Sequence, residues 1–179
     1  MKMREILRRF GASEKGIAAV EFAIIAPMMI FLLFGSVELI DIMNTNKRAQ
    51  NVAASLADVV ARDTEITNDE ITNLWAAVDV LMFPDDGASM QLRLTSITIV
   101  NATTARVVWS EGRGMTARTV NSTVALPSQM MQPGTSVIMA ESIYPYASSL
   151  GFLIENSMNL EHEAYRRSRL VDPIPRRTS

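Results

Sequence analysis

From Ile17 to Val37 the chain reads IAAVEFAIIAPMMIFLLFGSV, 21 residues in which Glu21 is the one charge. At the helical rise such a run covers about 31 Å, the thickness of a bilayer's hydrocarbon core. The pattern then changes. Over residues 45–62 (TNKRAQNVAASLADVVAR), Ala49, Val52, Ala53, Leu56, Val59 and Val60 recur at helical spacing and make one apolar face. Asn51, Ser55, Asp58 and Arg62 fall largely opposite. The spacing predicts one helix over 17–62, apolar all round in its first half and amphipathic in its second. Pro27 removes one backbone hydrogen bond within it and predicts a kink.

A second helix is predicted from Thr67 to Met82. Thr67 and Glu70 form a capping-box pair, and Ile71, Leu74, Trp75, Val78, Leu81 and Met82 repeat the helical spacing. Phe83-Pro84-Asp85-Asp86-Gly87 ends it as a turn. Beyond this the period is that of strands. Gln91–Val100 and Arg106–Ser110 flank Asn101–Ala105 as a hairpin, and apolar positions at 92 and 94, then 97 and 99, predict a bulge or face change around Thr95–Ser96. Residues 111–134 are turn-rich, from Glu111-Gly112-Arg113-Gly114 to Gln132-Pro133-Gly134, with a short helix at Ser128–Met131. Ser136–Tyr144 is apolar on both faces apart from Glu141, which predicts a central strand stopped by Pro145. A last strand, Met158–Arg166, precedes the tail VDPIPRRTS. The fold class is α+β: a long N-terminal transmembrane helix, then a head with a second helix and an antiparallel sheet.

Charge adds an orientation. Residues 1–16 carry Lys2, Arg4, Arg8, Arg9 and Lys15 against Glu5 and Glu14, a bias that holds an N-terminus in the cytoplasm. Lys47 and Arg48 oppose this mildly, with Glu38 and Asp41 closer to the membrane end. The apolar run exceeds the roughly 7–15 residues of a signal-peptide core, and no A-x-A-like pair closes it. The expected organisation is a leader at 1–16, a transmembrane helix at 17–43, its amphipathic continuation at 44–63 and a head at 64–179. Glu21 is costly at this depth, on the order of 2.5–3.5 kcal/mol at a bilayer centre. It snorkels to the headgroups or finds a partner.

Little else points to chemistry. The net charge of −2, with signs interspersed, gives no footprint for nucleic acid, and the absence of cysteine excludes disulfides, cysteine metal sites and thiol nucleophiles. The 12 methionines read as core fillers. His162, the single histidine, stands in Glu161-His162-Glu163 with no second histidine for a zinc pair. Asp85-Asp86 reads as a solvated turn pair. Gly112-Arg113-Gly114 lacks the strand and helix of a nucleotide loop, and no G-x-S-x-G elbow is present. Asn101-Ala-Thr and Asn121-Ser-Thr match a glycosylation pattern. Arg166, Arg167, Arg169, Arg176 and Arg177 read as a solvated tail, or as a contact for an acidic partner or lipid headgroups. The expectation is a protein that is not an enzyme, with no catalytic residues, metal, cofactor, nucleic acid or small-molecule substrate.

The stretch EKG-IAAVEF resembles the processing site of type IV pilin precursors. More narrowly, residues 15–60 are similar to the TadE/TadG-like family of tight-adherence (Flp-type) pilus assembly proteins, with Gly16, Val20, Glu21, Phe22, Pro27, Gly35 and Glu38 matching its pattern in order. The resemblance implies a pilin-like head and cleavage after Gly16 by a prepilin peptidase, leaving Ile17 as a new N-terminus. It implies that Glu21 meets the α-amine of a neighbouring subunit's Ile17 and so sets axial register. Phe22 stands where Flp major pilins favour Tyr. The implied function is that of a minor subunit, a pseudopilin, for assembly or initiation of a tight-adherence pilus, surface attachment and biofilm. Its partners are the peptidase, other pilins and pseudopilins, the inner-membrane assembly platform and the lipid bilayer. The implied location is the bacterial inner membrane, single pass, head in the periplasm, or the pilus. The alternative is an uncleaved, membrane-anchored periplasmic binding or adhesion protein of the TadG type.

Overall fold

An apolar run followed directly by an amphipathic one, with no breaker but Pro27, folds as one helix. The computed structural model describes residues 14–154 and 156–178. Helix α1 spans Glu14–Ala61, 48 residues and about 72 Å, and continues through Pro27. Its two halves have opposite environments. From Ile17 to Phe34 the large apolar side chains stand exposed, whereas Ala49, Val52, Ala53, Leu56, Ala57, Val60 and Ala61 are buried in the head. Val59 departs from the predicted face and is exposed.

Helix α2 spans Asn68–Met82, and its capping box is present. The Thr67 hydroxyl accepts from Glu70 N–H, and Glu70 Oε2 accepts from Thr67 N–H at 2.7 Å. It buries Ile71, Leu74, Val78 and Met82, with Trp75 half-buried and Leu81 exposed. Five strands follow: β1 (Gln91–Asn101), β2 (Thr104–Arg113), β3 (Thr123–Val124), β4 (Ser136–Tyr146) and β5 (Met158–Arg167). They form one antiparallel sheet in the order β3-β2-β1-β4-β5. Helix α1 packs on β4, β5 and α2. The fold class is therefore α+β, as read from the sequence.

The predicted face change is real and lies one step further on. The β1–β2 register shifts between Ser96 and Ile97, where Ser96 pairs with Trp109 and Ile97 with Val107, so Val108 is the extra residue and the bulge belongs to β2. Two cores result. Leu92, Leu94, Trp109, Ile138, Ala140 and Tyr144 meet the helices. Ile97, Ile99, Val107, Val137 and Met139 form a second cluster, closed by Val124, Leu126 and Met131 from the turn-rich segment. That segment is thus a lid over the sheet's second apolar patch; it contains β3, unforeseen, and a short 3-10 turn at Ser128–Met130.

Three expectations are corrected. The β1–β2 connection is tighter than Asn101–Ala105, because Asn101 pairs with Thr104 and its side chain accepts from Thr103 N–H at 2.9 Å. Pro145 does not stop β4, which continues to Tyr146 opposite Met158. Strand β1 begins at Gln91, opposite Ile143, so past that point β4 has β5 alone as neighbour, an edge position that tolerates a missing N–H. The C-terminal arginines are not a loose tail. Arg169 and Arg62 reach Asp58 at 2.7 and 2.5 Å, Arg176 reaches Glu111 at 2.9 Å, and Arg177 reaches Glu65 at 2.6 Å. Ile174 is fully buried, and its carbonyl accepts from Trp109 Nε1–H at 2.8 Å.

Candidate functional site

The residues singled out from the sequence lie along the bare half of α1. Gly16 and Ile17 fall in its opening turns, so the bond between them is helical. Lys2, Arg4, Arg8 and Arg9 lie outside the described residues. Glu21 is exposed, and Phe22 is 68% exposed. Phe22, Ala26, Met29, Ile30 and Leu33 line one apolar groove along the rod, at the i, i+4, i+7, i+8, i+11 positions of a single helix face. The structure therefore does not gather Gly16, Ile17, Glu21, Phe22 and Pro27 into a pocket. It presents them on an unpacked rod.

The far end of that rod holds a feature the sequence reading missed. Gly35 and Glu38, one helical turn apart, receive the loop that joins β4 to β5. Glu38 is 1% exposed; its carboxylate accepts backbone N–H from Phe152 at 3.3 Å and from Leu153 at 2.5 Å. Leu153 lies over Gly35, where an added Cβ would meet Leu153 Cδ1 at 3.0 Å. Phe152 sets its ring against Phe31 and Phe34, with centroids 5.4 and 6.1 Å away. One turn further on, Tyr146 donates its hydroxyl to Asp41 Oδ2 at 2.9 Å. Both acids at the head end of the apolar run are thus satisfied by the head, which removes the cost of leaving a carboxylate unpaired there. The signal available in the sequence was the apolar tip Leu150-Gly151-Phe152-Leu153-Ile154 set between two strands.

The remaining candidates have structural roles. His162 Nε2 lies 3.0 Å from Asn46 Oδ1, and burial lowers its pKa below the usual imidazole value. Asp85 pairs with Arg48 at 2.8 Å, and Asp86 caps the following 3-10 turn through Ala88 N–H. Glu141, buried in β4, receives Arg93 (2.5 and 2.6 Å) and Arg118 (2.8 and 3.3 Å). Burial alone would raise its pKa, but the two guanidiniums outweigh it and hold the carboxyl below the ordinary range.

These features define a rod-and-head protein with, among the described residues, one helix long and apolar enough to cross a membrane, its second half serving as the spine of an α+β head. A family model described as TadE-like protein matches residues 16–58, and on that segment the chain is similar to the TadE-like family. The match covers the rod and most of its continuation, and points to a protein associated with the tight-adherence pilus. No curated protein and no solved structure matches the chain.

Proposed function

We propose that this chain is a pseudopilin, a minor subunit that helps assemble or initiate a tight-adherence pilus. The observation that carries the reading is the division of α1. Its family-matched helix leaves about 20 Å of apolar surface, from Ile17 to Ile30, with no packing from its own head, while the same helix continues as the head's core. An apolar surface of that extent is untenable in water and needs lipid or other helices.

In this reading the rod holds the subunit in the inner membrane, with the basic residues before it cytoplasmic and the head periplasmic. A prepilin peptidase cuts between Gly16 and Ile17. Glu21 then pairs with the α-amine of a neighbouring subunit, and the Phe22–Leu33 face packs on other pilin helices. The head selects partners among other pilins, pseudopilins and the assembly platform. No step calls for a catalytic residue, metal or cofactor.

Deletion of the chain, scored by pilus counts and complemented with wild type or Glu21→Ala, tests the proposal. Piliation is expected to fall on deletion, to return with wild type, and to remain low with Glu21→Ala although that variant still enters the membrane. Normal piliation after deletion contradicts the assignment.

A further inference from the structure

We infer that the β4–β5 loop, Ser148–Ile154, is a second membrane contact: an apolar tip that enters the outer boundary of the bilayer beside the rod and fixes the head against the lipid surface. The inference rests on the reading of Ile17–Val37 as membrane-spanning, and adds an element outside the family-matched segment.

Three observations converge. The first is depth. Phe152 packs on Phe31 and Phe34, which lie three to six residues inside the apolar run's end at Val37. At the helical rise that places its ring about 5–9 Å below the boundary, the depth to which interfacial apolar groups commonly bury. The second is chemistry. Leu150, Phe152 and Leu153 remain 49%, 43% and 41% exposed, an apolar cluster that gains nothing from water. The third is preparation. Glu38 accepts the loop's N–H groups at Phe152 and Leu153, so that these backbone donors are not left bare at membrane depth, where unsatisfied groups cost several kcal/mol by transfer scales. Ser148 Oγ likewise accepts from Leu150 and Gly151 N–H at 3.3 and 3.2 Å. A loop whose backbone donors are satisfied and whose side chains are apolar is suited to lipid. Continuity with the rod selects the bilayer as its occupant over a second protein.

The absence of cysteine allows a direct test. Single Leu150→Cys, Leu33→Cys and Ala102→Cys variants of the full chain, each carrying an environment-sensitive fluorophore, are reconstituted in phosphatidylcholine/phosphatidylglycerol vesicles with or without doxyl-labelled lipid. Leu33 reports the rod. Ala102 lies at the β1–β2 turn, at the opposite end of the sheet from the loop, because β1 and β4 run antiparallel from Gln91–Ile143 to Thr98–Ser136. Doxyl quenching and a blue shift at Leu150, as at Leu33 and unlike Ala102, are expected. Quenching at Leu33 with Leu150 behaving as Ala102 overturns the loop inference and leaves the spanning rod intact. Quenching at neither position overturns both. Protection of Leu150 that grows with protein-to-lipid ratio, without doxyl quenching, assigns the tip to another subunit and also overturns it.

Discussion

Glu38 accepts the backbone N–H of Leu153 at 2.5 Å across 115 residues of chain, so a carboxylate on the rod and a loop of the head form one clasp. The contact accounts for two positions of the family pattern at once. Gly35 gives Leu153 room to lie on the helix, and Glu38 holds the loop's backbone in place. Glu38→Ala is expected to release the loop while α1 and the sheet persist. Hydrogen exchange on the reconstituted protein checks this: the Phe152 and Leu153 amides exchange faster in the variant, and amides in β1 and β4 do not.

Acid stability follows from Glu141. Its carboxyl is held below the ordinary value of 4.5, so the folded head binds fewer protons than the unfolded chain as pH falls past that value. The stabilisation is complete above the unfolded pKa and is lost as pH drops through the lower folded one. Glu141→Gln is expected to flatten this acid limb and to cost up to about 3 kcal/mol near neutral pH, because two largely buried guanidiniums lose their counter-charge. Urea unfolding of both proteins across the acid range provides the measurement.

The C-terminal segment locks the head. Ile174→Ala empties a fully buried site under Trp109 and is expected to cost about 2–5 kcal/mol. Chemical denaturation followed by tryptophan fluorescence reads it. A change within error would mean that the segment does not dock in solution.

Gly112 supplies a backbone test. A Cβ there would sit 2.0 Å from the Met115 carbonyl oxygen, and main chain cannot move aside as a side-chain end can. Gly112→Ala is expected to cost about 1–3 kcal/mol. Gly35→Ala meets only the flexible end of Leu153 and is expected to be milder. Paired denaturation curves decide the order.

The fold was legible wherever local rules suffice. Helical spacing over 17–62 and 71–82, the Thr67–Glu70 pair and the parity switch in β1 each have a short-range cause, and each appears, the switch one step further on than predicted. Long-range features were not legible. Nothing local announces that the segment after Gly114 folds over Ile97 and Val137, that the arginines of the tail return to Asp58 and Glu111, or that Pro145 sits where β4 has lost one neighbour. Glu38 was read as an orientation charge because its partners lie 114 and 115 residues away. The candidate residues at Gly16, Ile17, Glu21 and Phe22 came from pattern resemblance. The rod displays Ile17, Glu21 and Phe22 exposed rather than assembled into a site.

Intact mass of the protein extracted from the membrane fraction tests the central claim most directly. A pseudopilin gives the mass of a chain beginning at Ile17, with the rod retained and the amine free or methylated. A membrane-bound chain that still carries residues 1–16, or a soluble head without the rod, contradicts it.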